Sequence, residues 1–239
     1  GIEGYAPCPD GVVISEAKAA RAAGARMLCW GDADYPARLA EIADAPPVLW
    51  AVGDLQCLAR PMVALVGARN ASSLGTRMAR KLAEGLSEAG ICVVSGLARG
   101  IDTIAHEASV ARGTVAVMAG GVDVIYPAEN ADLAARITET GVRLSEQPIG
   151  LTPVARHFPL RNRIISGLSQ VVVVVEAAAQ SGSLITARLA LDQGREVLAV
   201  PGHPFDGRAS GCNMLIRDGA RLVRGPDDVI EILAAEPIH

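Results

Sequence analysis

Guanidinium groups beside glycine-opened turns are the features of this 239-residue sequence most able to do chemistry, and the chemistry they suit is the holding of phosphate. Gly67-Ala68-Arg69-Asn70, Ser95-Gly96-Leu97-Ala98-Arg99-Gly100, Gly120-Gly121-Val122-Asp123, Gln180-Ser181-Gly182-Ser183 and Pro201-Gly202-His203 each follow an apolar run, and Thr186 lies one turn beyond Ser183. Glycines let a ligand approach the backbone, and a helix that starts after such a turn offers free N–H groups. A longer segment, Phe158 to Arg163, brackets Asn162 between two arginines. Two readings of Arg161 and Arg163 stand. With Arg69 and Arg99 they ring an anion-binding trough, or they cap the edge of a sheet and pair with Glu146 or Glu176.

Catalytic arrangements are weaker. Asp102 and His106 are spaced i, i+4, which suits an acid/base or metal pair, but also an aspartate that starts a helix and a histidine packed beneath a loop. Glu176 ends a valine run and reads as a general base or, more simply, as the partner of an arginine. His203 and Asp123 have no evident catalytic partner. Arg77, Arg80 and Lys81 share a helix face with Glu84 and read as a solvated surface. The nucleotide signatures GxGxxG and GxxxxGK[ST] are absent, as is a GxSxG elbow.

The elements that must position these turns follow from the apolar pattern. Runs at 62–68, 91–96, 114–121, 142–146, 171–177 and 196–202 alternate with helical stretches at 72–90, 102–113, 128–141, 160–169, 182–194 and 211–219. Continuous apolar strands, each followed by a helix, specify a parallel sheet covered on both faces. Right-handed crossovers make it an extended, Rossmann-like, doubly wound α/β sheet, with every strand-to-helix turn on one rim. A last short strand at 220–223 and a helix at 227–235 complete it. Residues 1–58 read as a small N-terminal extension: an Ala-rich, weakly helical stretch to about 24, then lead-in strands, with a short helix at 36–42. Residues 59–239 read as the Rossmann-like domain.

Bulk properties narrow the class. The five cysteines are scattered without a CxxC pair and the four histidines are far apart, which predicts a reducing, cytoplasmic setting and no cysteine-based metal site. No apolar run reaches about 18 residues, so no membrane span is expected. The net charge of -4 argues against a nucleic-acid binder, but its distribution does not. No acid lies between Asp54 and Glu84 or between Glu146 and Glu176, whereas Arg60, Arg69, Arg77, Arg80, Lys81, Arg156, Arg161 and Arg163 do. A locally basic face on an acidic molecule is the expectation.

Six blocks carry a resemblance: "VALVGARNASSLG", "VVSGLARGIDTIAHEASV", "GTVAVMAGGVDVIYPAEN", "LSEQPIG", "FPLRNRIISGLSQVVVVVEAAAQSGSLITARLALDQGREVLAVPG" and "SGCNMLIRDGARLV". Together with "DYPARLAEIADAPPVLWAVGD" they resemble the DNA-processing protein A (DprA/Smf) family over residues 28–225. The resemblance implies single-stranded DNA binding that protects incoming DNA in natural transformation and hands it to the RecA recombinase. It implies a homodimer, no cofactor, no metal and no catalytic turnover. It places the DNA on Gly67, Arg69, Ser95, Gly96, Phe158, Arg161, Asn162, Arg163, Ser181, Gly182, Ser183 and Thr186, with Phe158 as a stacking platform, and the reading of the turns adds Arg99. Where some relatives have a lysine shortly before that phenylalanine, this chain has Ala155, Arg156 and His157, so Arg156 is the stand-in. Many relatives add a helical N-terminal module, of which residues 1–24 are a candidate remnant, and a C-terminal winged helix. The competing expectation is an enzyme similar to the nucleoside-monophosphate phosphoribohydrolases of the LOG group, with Arg69 on a 5′-phosphate and Glu176 as acid/base. Those carry a P-G-G-x-G-T-x-x-E loop where this chain has "AAQSGSLITA".

Overall fold

The computed structural model describes residues 6–235. The chain opens with helix α1 (Asp10–Ala22), strand β1 (Arg26–Cys29), the short helix α2 (Ala37–Ala40) and β2 (Val48–Gly53). Then β3 (Met62–Gly67), α3 (Ser73–Glu88), β4 (Cys92–Ser95), α4 (Ile101–Ser109), β5 (Thr114–Val117), α5 (Ala131–Thr140) and β6 (Val142–Ser145) alternate. The second half runs α6 (His157–Leu168), β7 (Val171–Glu176), α7 (Ser183–Asp192), β8 (Glu196–Ala199), α8 (Ser210–Arg217), β9 (Arg221–Leu222) and α9 (Pro226–Ala235).

All these strands form one sheet, in the order β1-β2-β6-β5-β4-β3-β7-β8-β9. From β6 to β9 neighbours pair in parallel, whereas β2 joins β6 antiparallel and β1 joins β2 antiparallel. The chain builds outward from β3 to β6, then returns through α6 to lay β7 on the other side of β3. That reversal is the topological switch point, where an open sheet of this kind leaves a crevice at the carboxyl ends of its strands.

The valine run of β7 explains how the sheet is held. Every residue of β7 is buried. Val172 and Val174 enter one core, against Ile164 and Ile165 of α6, Ala187 and Ala190 of α7 and Cys212 of α8. Val171, Val173 and Val175 enter the other, against Leu82 and Leu86 of α3, Ile101 and Ala105 of α4 and Val229 of α9. Alternate side chains point to opposite faces, so a strand sandwiched between two helical layers must be apolar at each position. Each valine removed from water contributes about 1.5–3 kcal/mol.

Several boundaries differ from those expected, among them the strand at 196–202, which stops at Ala199, and the helix at 128–141, which begins at Ala131. The strand at 114–121 stops at Val117, and Met118 to Gly121 form a buried turn. The helix expected at 160–169 starts three residues earlier, at His157. Pro159 does not oppose this, because in a first helical turn its missing N–H would have no partner anyway. In the N-terminal segment α1 buries only Ala20, so the weak helical signal there corresponds to a helix lying on the surface. No helix among the described residues is long and apolar enough to cross a membrane.

The antiparallel graft of β2 onto β6 depends on a close approach. Gly53 pairs with Val142 at φ 120°, and a Cβ there would run into the carbonyl oxygen of Gly141. Gly53→Ala therefore meets both a disfavoured φ and a backbone clash. It is expected to lower stability by about 2–3 kcal/mol, read as a shift in the urea midpoint without a change in slope.

Candidate nucleic-acid interface

The switch point carries an open cleft of about 820 Å³. The end of β3 supplies Gly67, Ala68 and Arg69, the start of α4 supplies Asp102, α6 supplies Phe158, Arg161 and Asn162, and the turn into α7 supplies Gln180 to Ser183 with Thr186. Four separate strand-to-helix connections thus converge, as the parallel topology requires.

The floor is a buried charge pair. Arg161 is 5% exposed and Asp102 7%. Arg161 donates through Nη1 to the carbonyl oxygens of Gly96, at 2.7 Å, and of Val117. Asp102 Oδ2 accepts from the backbone N–H of Gly96 at 3.1 Å and of Ala98 at 3.4 Å. One guanidinium therefore ties α6 to the ends of β4 and β5. Gly96 is needed between them, because a Cβ there would run into the guanidinium. Burial pushes the Asp102 carboxyl up, against the pull of Arg161. Burial also lowers Arg161 to about 10, with Asp102 opposing and Arg69 adding to the shift. Nη2 of Arg161 has no hydrogen-bond partner among the described residues, which leaves a donor for a ligand at the cleft floor.

Above this floor stands a stack. The Arg69 guanidinium lies 5.1 Å from the centre of the Phe158 ring, and Tyr126 packs on Phe158 at 5.7 Å with the rings tilted by 56°. Arg69 is exposed and makes no ion pair among the described residues. The stack forms a wall, and beyond it a neighbouring hollow of about 430 Å³ is lined by Asn70, Gly96 and Arg99. Arg99 is paired with Glu129 at 2.8 Å, both more than half exposed, an ion pair worth about 0–1 kcal/mol that a phosphate can displace. On the opposite bank, Ser181 and Ser183 hydroxyls are 2.7 Å apart at the start of α7, where the positive end of the helix dipole favours anions.

Other expected residues lie elsewhere. Arg163 does not share the cleft with Arg161. Its guanidinium forks onto both carboxylate oxygens of Glu146 at 2.8 and 2.6 Å and reaches Asp44 at 3.1 Å. Residues two apart on a helix point to different sides, so α6 divides the pair between a cleft-lining arginine and one paired with carboxylates. Ser95 is fully buried and donates to the Leu65 carbonyl oxygen. Arg156 is exposed at the start of α6 and outside the cleft lining. Glu176 partners no arginine: its carboxylate accepts from the backbone N–H and hydroxyl of Ser72, at the N-terminus of α3. It therefore lines a different cleft from Arg69, which separates the two groups a phosphoribohydrolase reading requires together. Tyr126 was the rim residue least visible in sequence. The signal available was an aromatic in a loop of a chain with only 3% aromatics.

His106, the other half of the i, i+4 pair, is fully buried beneath the floor. The Thr114 hydroxyl donates to the Val93 carbonyl oxygen, so it accepts from His106 Nδ1 at 2.9 Å, and Nε2 is left without a partner. Burial, with Arg161 nearby, pushes the His106 pKa from 6.5 down to about 3. The folded state thus resists a proton that the unfolded chain accepts. Stability is expected to fall as pH drops from about 6.5 towards 3, by at most about 1.4 kcal/mol per unit for one proton. Asp102, raised by burial, acts in the opposite sense at the acid end. Urea titrations of the parent and His106→Leu isolate the histidine: the variant is less stable at neutral pH but loses that part of the slope.

Comparison with known proteins places this geometry in context. The chain matches the model of DNA recombination-mediator protein A over residues 26–234. It is 46% identical over 198 residues to the DNA processing protein DprA of Streptococcus pneumoniae, covering 82% of this chain and 70% of that protein. The X-ray structure of the S. pneumoniae protein superposes with a TM-score of 0.88 at 41% identity, over 97% of this chain and 80% of the other. A structure of DNA processing protein A from Helicobacter pylori, solved to describe its single-stranded DNA binding mode, superposes with a TM-score of 0.80 at 29% identity, over 89% and 97%. With a family match over residues 26–234 and relatives at this identity, the chain belongs to the DNA recombination-mediator protein A (DprA/Smf) family.

Proposed function

We propose that this chain binds single-stranded DNA along the carboxyl rim of its sheet and passes the strand to a RecA-type recombinase, acting as a homodimer and without chemical turnover. The observation that carries the reading is the Arg69–Phe158–Tyr126 stack standing over an open cleft with a buried guanidinium at its floor. Backbone phosphates lie against Arg69, Arg99, the free Nη2 of Arg161 and the Ser181 and Ser183 hydroxyls at the positive end of α7. A base packs on Phe158 once Arg69 swings from the ring to a phosphate. The cation–π contact being exchanged is worth about 0.5–1 kcal/mol at an exposed site, less than the roughly 1–3 kcal/mol of stacking a base. The H. pylori relative, described as a single-stranded DNA binder, supports the same ligand here. The exposed edge strand β9, with Leu222 and nearby Met214 uncovered, gives a second copy a place to pair.

Fluorescence anisotropy with labelled oligo-dT across a salt series tests the reading. Arg69→Ala is expected to weaken binding and to reduce the salt slope by about one. Phe158→Ala is expected to cost about 1–3 kcal/mol with the slope unchanged. Parent-like binding by both variants would show that the cleft is not the DNA site. Incubation with AMP is expected to release no adenine; multiple turnover would restore the enzymatic reading.

A further inference from the structure

A second groove opens on the same rim, on the far side of the β3 and β7 ends. It holds about 660 Å³ between α3 and the loop from β8 to α8. Its floor is apolar, built from Met78, Val175, Val200 and Cys212. Arg77 and Lys81, one helical turn apart on α3, edge one bank. Arg77 is exposed and makes no ion pair among the described residues. On the other bank stands His203, which packs at 5.5 Å against Phe205 just outside the lining; Phe205 is 94% exposed, and Leu74 across the groove is 72% exposed. Three acids also line it. The Glu176 carboxylate is tied to Ser72 at the positive end of α3, and Asp206 accepts from the N–H of Arg208, so Glu84 is the one left without such an engagement.

We propose that this groove is a second subsite for the same single strand, with Phe205 as a base-stacking platform and Arg77 and Lys81 as phosphate contacts. It rests on the reading of the first cleft as a DNA site. Two observations select a nucleic acid over a protein segment. The grooves flank the end of β7, since Glu176 lines one and Ala178, two residues on, lines the other. The groove also sets an uncovered aromatic at its rim across from two cations one turn apart on a helix, as a strand of bases and phosphates requires. A strand leaving the first cleft past the end of β7 meets a stacking ring and two cations.

The experiment compares oligo-dT of about 6 and about 16 nucleotides, the range over which single-stranded sites are filled. Phe205→Ala is expected to weaken binding of the longer strand about tenfold and leave the shorter unchanged. Arg77→Ala is expected to lower the salt slope for the longer strand alone, by about one. Both residues are exposed, so the fold is expected to be retained. Irradiation of an iododeoxyuridine-substituted longer strand, followed by mass spectrometry, is expected to give adducts at Phe205 as well as in the first cleft. Parent-like affinity in both variants, equal weakening for both lengths, or adducts confined to Phe158 and Tyr126 would overturn the second subsite. Failure of the parent chain to bind either strand would instead overturn the reading of the first cleft.

Discussion

A single guanidinium beneath the rim sets the spacing of the site. Arg161 bonds the carbonyl oxygens that begin the turn after β4 and end β5, and its charge is balanced by Asp102 on α4. Taking these two charges out of water is costly, and the arrangement persists because each also satisfies backbone groups that would otherwise be buried unpaired. Everything a ligand would touch is referenced to this point. Phe158 lies almost one turn before Arg161 on α6, Gly96 lies directly against it, and Arg69 is near enough to feel its charge. The pair is thus a positioning device, with one donor left over for the ligand.

The sheet was legible in the residues because its strands are buried on both faces, and a run such as Val171 to Val175 has no other easy fate. The rim location of the turns followed from topology alone. What the residues could not show was the facing of α6. Arg161 and Arg163 look alike in a string, but where the helix begins decides which of them reaches the cleft, and Pro159 concealed a start three residues earlier than expected. The partner of Arg163 was open in sequence between Glu146 and Glu176, and long-range packing chose Glu146. Tyr126 was obscured for a similar reason: nothing local in "VIYP" says that its ring meets Phe158, which is 32 positions away in the chain.

Charge distribution reconciles an acidic molecule with an anionic ligand. Formal net charge is -4, but around the first cleft three acids are engaged: Asp102 by Arg161 and backbone N–H groups, Glu176 by Ser72, and Glu129 by the weak surface pair with Arg99. At short range, desolvated groups matter more than the screened sum over the whole surface. Arg69, by contrast, is held only by an aromatic face. The cations most available to a ligand are therefore those whose existing contacts are the least costly to exchange.

The carboxylate of Glu176 has a consequence of its own. In sheets of this architecture the helix after the first central strand is the natural seat for a nucleotide's phosphates. Here that seat is filled from within by a side chain of the neighbouring strand. A protein that must find a polymer in a cell crowded with free mononucleotides and dinucleotide coenzymes gains from having its most attractive monomer pocket stoppered. Selectivity for a long chain then begins with an exclusion, before any contact to that chain is made.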